Sequence, residues 1–261
     1  MDVFWLEQRE ANLPPSDDWL SSIEAIRLNS FRIAKRRADW RLGRWTAKCA
    51  VAAVLKLPDD PSSLRLIEIT AASTGEPEVS LVDRREDVTI SISHRDGIAI
   101  CAVAAAKVQL GCDLEVIEAR SDGFIADYFT TAEQDLIASA SREDRALLVS
   151  LLWSAKESAL KAMHVGLRAD TRTVAVEIGA SEGRWPEHAN ASSMRGVQPA
   201  EPSNLSADWR RFRVHCVDGT DFCGWWQRSE DRVRTVVAAP PPAPPIELAS
   251  PLPAAGEMHQ P

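Results

Sequence analysis

Two short runs constrain this chain more than any other part of it: Gly111-Cys112-Asp113-Leu114-Glu115, and Trp153-Ser154-Ala155-Lys156-Glu157-Ser158-Ala159-Leu160-Lys161. The first reads as a strand, so Asp113 and Glu115 share one face while Cys112 and Leu114 take the other. The second reads as a helix in which Trp153, Glu157 and Lys161 recur every four residues along one stripe. A fold that holds both runs has three carboxylates and a lysine to place on rigid elements. Such a set suits a hard divalent cation, which takes oxygen ligands, keeps several waters and completes its shell with phosphate. Taken singly, each run is more often an ordinary solvated face than a metal site: carboxylates two apart on a strand are common, and so is a Glu–Lys pair one helical turn apart.

The remaining pattern is mixed. A strand is expected over 3–9, a helix over 17–37 and a second over 39–55, closed by the segment 58–63. In the second helix Leu42, Trp45, Cys49 and Ala52 form an apolar face, and Arg41, Arg44 and Lys48 form a cationic stripe beside it. A strand at 67–69 leads to a turn at 73–77. The alternating stretch 88–92 ends at Ser93-His94, reverses at Arg95-Asp96-Gly97 and pairs back as a strand over 98–105, with a third strand over 110–115. Helices follow near 124–129 and 131–140, and a long one over 145–164. Beyond Gly166 the texture is β, at 173–178, 209–216, 222–227 and 233–238, with a polar loop around 187–206. Proline and alanine dominate from Pro240 onward and predict an unpacked tail. No sequence repeat stands out.

Bulk properties narrow the class. At 261 residues the chain suffices for one large domain or two small ones, each with a real core. No apolar run is long enough to span a bilayer, and residues 1–9 lack the basic and then apolar zones of a signal peptide, so a cytoplasmic protein without membrane partners is expected. The five cysteines are odd in number and form no C-x-x-C pair, which predicts reduced structural thiols. A net charge of −8 argues against a nucleic-acid partner. Yet between Arg27 and Lys56 there are nine Lys or Arg residues and one acid, Asp39, and a basic segment in an acidic chain needs a reason.

Order and spacing supply one. A basic helix is followed by a G-x-P turn, an S-I-S-H strand, a G-x-D-x-E strand, Y-F-T-x-x-E and W-S-x-K-E-S-x-x-K. Over roughly residues 20–180 this succession resembles the 4′-phosphopantetheinyl transferases, specifically the longer, two-lobed type that serves carrier proteins of peptide and polyketide synthesis. The resemblance implies an α+β fold of two similar lobes with pseudo-twofold symmetry, each a small antiparallel sheet packed on a long helix. The N-terminal lobe would be 1–107, the C-terminal lobe 108–239, and 240–261 the Pro/Ala-rich tail. It further implies a monomeric enzyme that moves the phosphopantetheine arm of coenzyme A onto a serine of an apo acyl or peptidyl carrier protein, releasing adenosine 3′,5′-bisphosphate.

Position by position, Asp113, Glu115 and Glu157 match the family's magnesium ligands. Lys161 matches the lysine that binds the pyrophosphate, and Lys156 belongs to the same signature. Ser93 and His94 match the pair that contacts the phosphates of coenzyme A. Gly75 and Pro77 match the turn along the adenine, with Glu76 where the family commonly has a lysine. Arg44 and Lys48 lead the candidates for the 3′-phosphate, ahead of Arg27, Arg36, Arg37 and Arg41. The base for the carrier serine is Glu157 or Glu133, with Glu157 preferred. Phe124, Tyr128 and Phe129 are the expected landing surface for the carrier. Two other classes compete: a non-catalytic coenzyme A or carrier-binding module of the same fold, and a magnesium-dependent phosphodiesterase that uses water in place of serine.

Overall fold

A computed structural model of the chain describes residues 1–81, 84–105, 107–166, 169–179 and 209–249. The polar loop expected around 187–206 and the last twelve residues of the tail, 250–261, lie outside these. The first half runs β1 (Phe4–Arg9), α1 (Ser22–Ser30), α2 (Ala34–Leu55), α3 (Pro61–Leu66), β2 (Ile67–Ala71), β3 (Pro77–Leu81), β4 (Arg84–Arg85), β5 (Thr89–Arg95) and β6 (Ile98–Ala104). The second runs β7 (Gln109–Val116), α4 (Asp122–Tyr128), α5 (Thr131–Ser139), α6 (Arg145–Ala162), β8 (Val174–Ile178), β9 (Arg210–Cys216), β10 (Asp221–Ser229) and β11 (Arg232–Ala239), before a short β12 (Ile246–Glu247). The architecture is α+β, as expected. No helix among the described residues is long and apolar enough to cross a membrane.

The helix expected over 17–37 is not one helix. Ser21 and Glu24 form a reciprocal capping box that starts α1 at Ser22, and extended backbone at Phe31 and Ile33 separates it from α2. α2 then runs unbroken through Asp39. Its predicted apolar face is buried, with Leu42, Trp45, Cys49 and Ala52 packed inward.

Strands β12, β1, β6 and β5 form one sheet, β7, β11, β10, β9 and β8 a second, and β2, β3 and β4 a small third. α2 packs on β6, β1 and β5, and α6 packs on β7 and β11. Where the two larger sheets meet, Val3, Ile98, Ile100 and Ala102 share a core with Leu110, Cys112, Leu114 and Val236. Arg234 on β11 also donates to Glu7 on β1 across 2.7 Å.

One arrangement occurs twice. In the first half Glu24 sits at the third position of α1, accepts from the Ile69 N–H at 3.1 Å and pairs with Lys48 of α2, which donates to the Trp19 and Leu64 carbonyls. In the second half Glu133 sits at the third position of α5, accepts from the Val176 N–H at 2.9 Å and pairs with Lys156 of α6, which donates to the Thr171 and Val174 carbonyls. Lys48 and Lys156 are fully buried. A buried charge persists only when paired and hydrogen-bonded, and here every partner is supplied. Each device ties a long helix to a short helix and a strand.

The tail departs from expectation over its first residues. Trp225 Nε1 donates to the Pro242 carbonyl at 3.1 Å, and β12 pairs in parallel with β1. The Ile246 and Leu248 N–H groups donate to the Val3 and Trp5 carbonyls at 2.9 and 2.8 Å. Proline-rich composition removes N–H donors, but the non-proline residues between them still satisfy an open sheet edge.

Candidate active site

The site begins with a glycine. A Cβ at Gly111 would lie 1.8 Å from the Ser158 carbonyl oxygen and 2.9 Å from the Ala162 nitrogen, so β7 meets α6 closely only because that Cβ is missing. Two serines of α6 pin the helix from the other side: Ser154 Oγ and Ser158 Oγ lie 2.8 and 2.7 Å from Thr235 Oγ1 on β11. With the helix fixed at these points, Glu157 and Lys161 face the strand that carries Asp113 and Glu115.

Asp113 is only 4% exposed. Its Oδ1 accepts from Ser93 Oγ on β5 and from Lys161 Nζ on α6, both at 2.8 Å, while its Oδ2 is buried with no hydrogen-bond partner. Lys161 also donates to the Cys112 carbonyl at 3.0 Å. Burial alone would lower Lys161, but Asp113 and its other neighbours hold it above the usual lysine range. Glu115 accepts from Trp153 Nε1 at 3.2 Å, and its other oxygen lies 3.5 Å from Arg120 and 3.8 Å from Arg95. Burial and the Asp113 charge raise Glu115. Burial, then Asp113, raises Glu157 further, to about 7, against the pull of Lys161. Burial lowers His94 below the ordinary histidine value.

Asp113, Glu115 and Glu157 line one cavity of about 320 Å³ together with Ser93, His94, Arg95, Arg120, Phe124 and Trp153. Lys161 reaches this group through Asp113. Among the described residues no three His, Cys, Asp or Glu side chains are already closed around a point. Asp113 and Glu115 are drawn instead to lysine and guanidinium groups. A buried carboxylate oxygen without a partner, beside two carboxylates whose ionisation is penalised, fits a hard cation such as magnesium.

The cavity thus gathers Asp113, Glu115, Glu157, Ser93 and His94, with Lys161 behind them. Other expectations need correction. Lys48 and Lys156 have no exposed surface and are spent on the paired devices described above, so neither reaches a bound phosphate. Glu133 is 3% exposed and both its oxygens are engaged, which removes it as a base. Arg44 packs over the Trp40 ring at 4.8 Å and faces Glu24, away from the cavity lining. Arg41 and Arg37 are held by Asp17 and by the Leu28 carbonyl. Phe129 is fully buried, leaving Phe124 at the cavity and Tyr128 exposed beside it.

Gly75 and Pro77 form the turn into β3, with Gly75 at φ +104°. Glu76 lies 3.9 Å from His164, just past the end of α6 that carries Lys161. The turn does not line the cavity itself. Three further residues belong to the site and carry no motif signal: Arg95, Arg120 and Glu118. Charged residues within a few positions of His94 and Glu115 were the available clue.

Residues 109–196 match the family profile described as the 4′-phosphopantetheinyl transferase superfamily, and the match begins at β7. A curated relative, "4'-phosphopantetheinyl transferase HetI" of Nostoc sp. (strain PCC 7120), is 27% identical over 164 residues, covering 62% of this chain and 67% of that protein. Over that stretch the chain is similar to the 4′-phosphopantetheinyl transferase superfamily. Among solved structures, Helicobacter pylori holo-[acyl-carrier-protein] synthase in complex with coenzyme A is similar at 18% identity and a TM-score of 0.32, over 39% of this chain and 96% of that one. The stretch matched by the family profile includes Asp113, Glu115, Glu157 and Lys161.

Proposed function

We propose that this protein transfers the 4′-phosphopantetheine group of coenzyme A to a serine of an apo carrier protein, giving the holo carrier and adenosine 3′,5′-bisphosphate. The observation that carries this reading is the convergence of Asp113, Glu115 and Glu157 on one cavity, with Lys161 bonded to Asp113 at 2.8 Å. Asp113, Glu115 and Glu157 would hold a magnesium ion, which supplies charge neutralisation to the diphosphate. The serine oxygen attacks the β-phosphorus, the bond from that phosphorus to the bridging oxygen breaks, and the α-phosphate leaves with the electron pair. Glu157, on the face of α6 that lines the cavity, is placed to take the serine proton. Lys161 sits on the same side as Asp113 Oδ1 and stabilises charge on the departing phosphate. Ser93 and His94, at the end of β5, orient the coenzyme phosphates from the first half of the chain.

The residues that line the cavity come from both halves, which supports a two-lobed reading with lobes at 1–107 and 108–239, working as a monomer. Incubating purified protein with magnesium, coenzyme A and a panel of apo carriers, read by intact mass, tests the reading. A phosphopantetheine-sized gain on a carrier is the expected result. Coenzyme binding with no mass change would leave only a binding module, and coenzyme cleavage without labelling would leave a hydrolase.

A further inference from the structure

Between Glu115 and Glu118 lie two guanidinium groups with unequal attachments. Arg95 and Arg120 each approach Glu118 Oε1 to 2.9 Å, but stand 3.8 and 3.5 Å from Glu115 Oε2. Arg120 is also stacked over the Phe124 ring at 5.1 Å, which fixes its stem beside the cavity. Both arginines therefore sit closer to Glu118 than to Glu115, although Arg120 still donates to Glu115 at 3.5 Å. A cation at Glu115 competes with any guanidinium for the same oxygen, and the competition is steep at contact distance in a partly dry site. Glu118 is the half-exposed partner, with a side chain 41% accessible against 11% for Glu115.

We infer that Glu118 is a positioning residue for the metal site: it anchors Arg95 and Arg120 away from Glu115, so that Glu115 stays available to a divalent cation. The inference rests on the reading of Asp113, Glu115 and Glu157 as cation ligands. It assigns Glu118 no contact with substrate. Without Glu118, Arg120 has Glu115 at 3.5 Å as its nearest remaining carboxylate, while Arg95 has Glu115 and Asp96 both at 3.8 Å, so a cation at Glu115 must displace Arg120 above all.

The test is a double-mutant cycle on the full chain, with Mn²⁺ as the probe, read as free Mn²⁺ by electron paramagnetic resonance in the absence of coenzyme. Glu118→Gln should weaken Mn²⁺ binding about tenfold. Arg120→Gln should change it less than about threefold in the wild-type chain, where Arg120 is anchored, and should tighten it about fivefold or more in the Glu118→Gln chain. A general charge effect predicts instead the same factor for Arg120→Gln in both backgrounds, and that result overturns the inference. So does a Glu118→Gln chain that binds Mn²⁺ as wild type does. Asp113→Asn separates the two levels of the argument. If it abolishes binding while Glu118→Gln has no effect, the metal reading stands and only the role of Glu118 falls. If wild type binds no Mn²⁺, or Asp113→Asn binds normally, both fall.

Discussion

Replacing Glu157 by glutamine should stabilise this protein and inactivate it at the same time. Glu157 is held at about 7 by burial and by Asp113, against 4.5 for an ordinary glutamate. Between those two values the unfolded chain carries fewer protons than the folded one, so stability falls as pH rises through the window. At 1.36 kcal/mol per pKa unit the full loss is about 3 kcal/mol near pH 8, and about 1 kcal/mol near pH 5. Glutamine keeps the shape and carries no charge, so Glu157→Gln should exceed wild type by those margins. Urea denaturation followed by tryptophan fluorescence across that pH range measures the difference. Magnesium should then reverse the order, because a cation that binds only the folded state stabilises wild type by mass action and finds one ligand missing in the variant. Equal unfolding midpoints for the two proteins at every pH, or equal stabilisation of both by magnesium, would refute the electrostatic account of this site.

Other outcomes follow from the same geometry. Lys156→Met leaves Glu133 buried and unpaired, and should cost about 3–5 kcal/mol in chemical denaturation. Glu133→Gln should lose stability and keep near-normal turnover per folded molecule; lost turnover at unchanged stability would restore Glu133 as a base. Gly111→Ala forces a methyl group into the Ser158 carbonyl and should destabilise by about 3 kcal/mol in thermal unfolding, with weaker Mn²⁺ binding as β7 moves off α6. Lys161→Ala should lower kcat about 10²–10³-fold while the carrier KM holds, as measured by holo-carrier formation under saturating coenzyme.

Which side chains share a face is readable from spacing; that the two runs meet at one cavity rests on the order of the motifs and the resemblance they carry. The i, i+2 carboxylates of β7 and the i, i+4 stripe of α6 need only regular backbone geometry to point where they do, and both elements formed over those residues. Side chains whose fate depends on a distant partner were not readable. Lys48 and Glu133 carry the same charges as functional residues, and nothing local says that Glu24 or Lys156 waits in the core to neutralise them. The break at 31–33 was hidden because the flanking segments share helical periodicity, and the deciding signal was a capping box with Ser21 and Glu24 three apart. The tail misled because its composition is that of an extended linker, while the edge of β1 offers its few donors a place to pair.

The repeated Glu–Lys device leaves little trace in the sequence for a related reason, and it marks where the two halves differ. Ser21, Glu24, Lys48 and Ile69 are followed 107 to 109 positions later by Thr130, Glu133, Lys156 and Val176, in the same roles. A tryptophan precedes each lysine by three residues, Trp45 in α2 and Trp153 in α6. A handful of positions kept over such a distance is too sparse to register as sequence similarity. The same register shows what differs between the halves. One and five residues after Lys156 stand Glu157 and Lys161; one and five after Lys48 stand Cys49 and Ala53. Cys49 is fully buried, its thiol pushed up to about 12 by burial. The first half therefore repeats the scaffold that fixes a long helix against its neighbours, without the acid and base groups that the second half mounts on it. What the first half gives to the cavity comes instead from the end of β5, as Ser93, His94 and Arg95. Of the two supports, only the one built on α6 places residues in the cavity lining, as Trp153 and Glu157; the one built on α2 places none there.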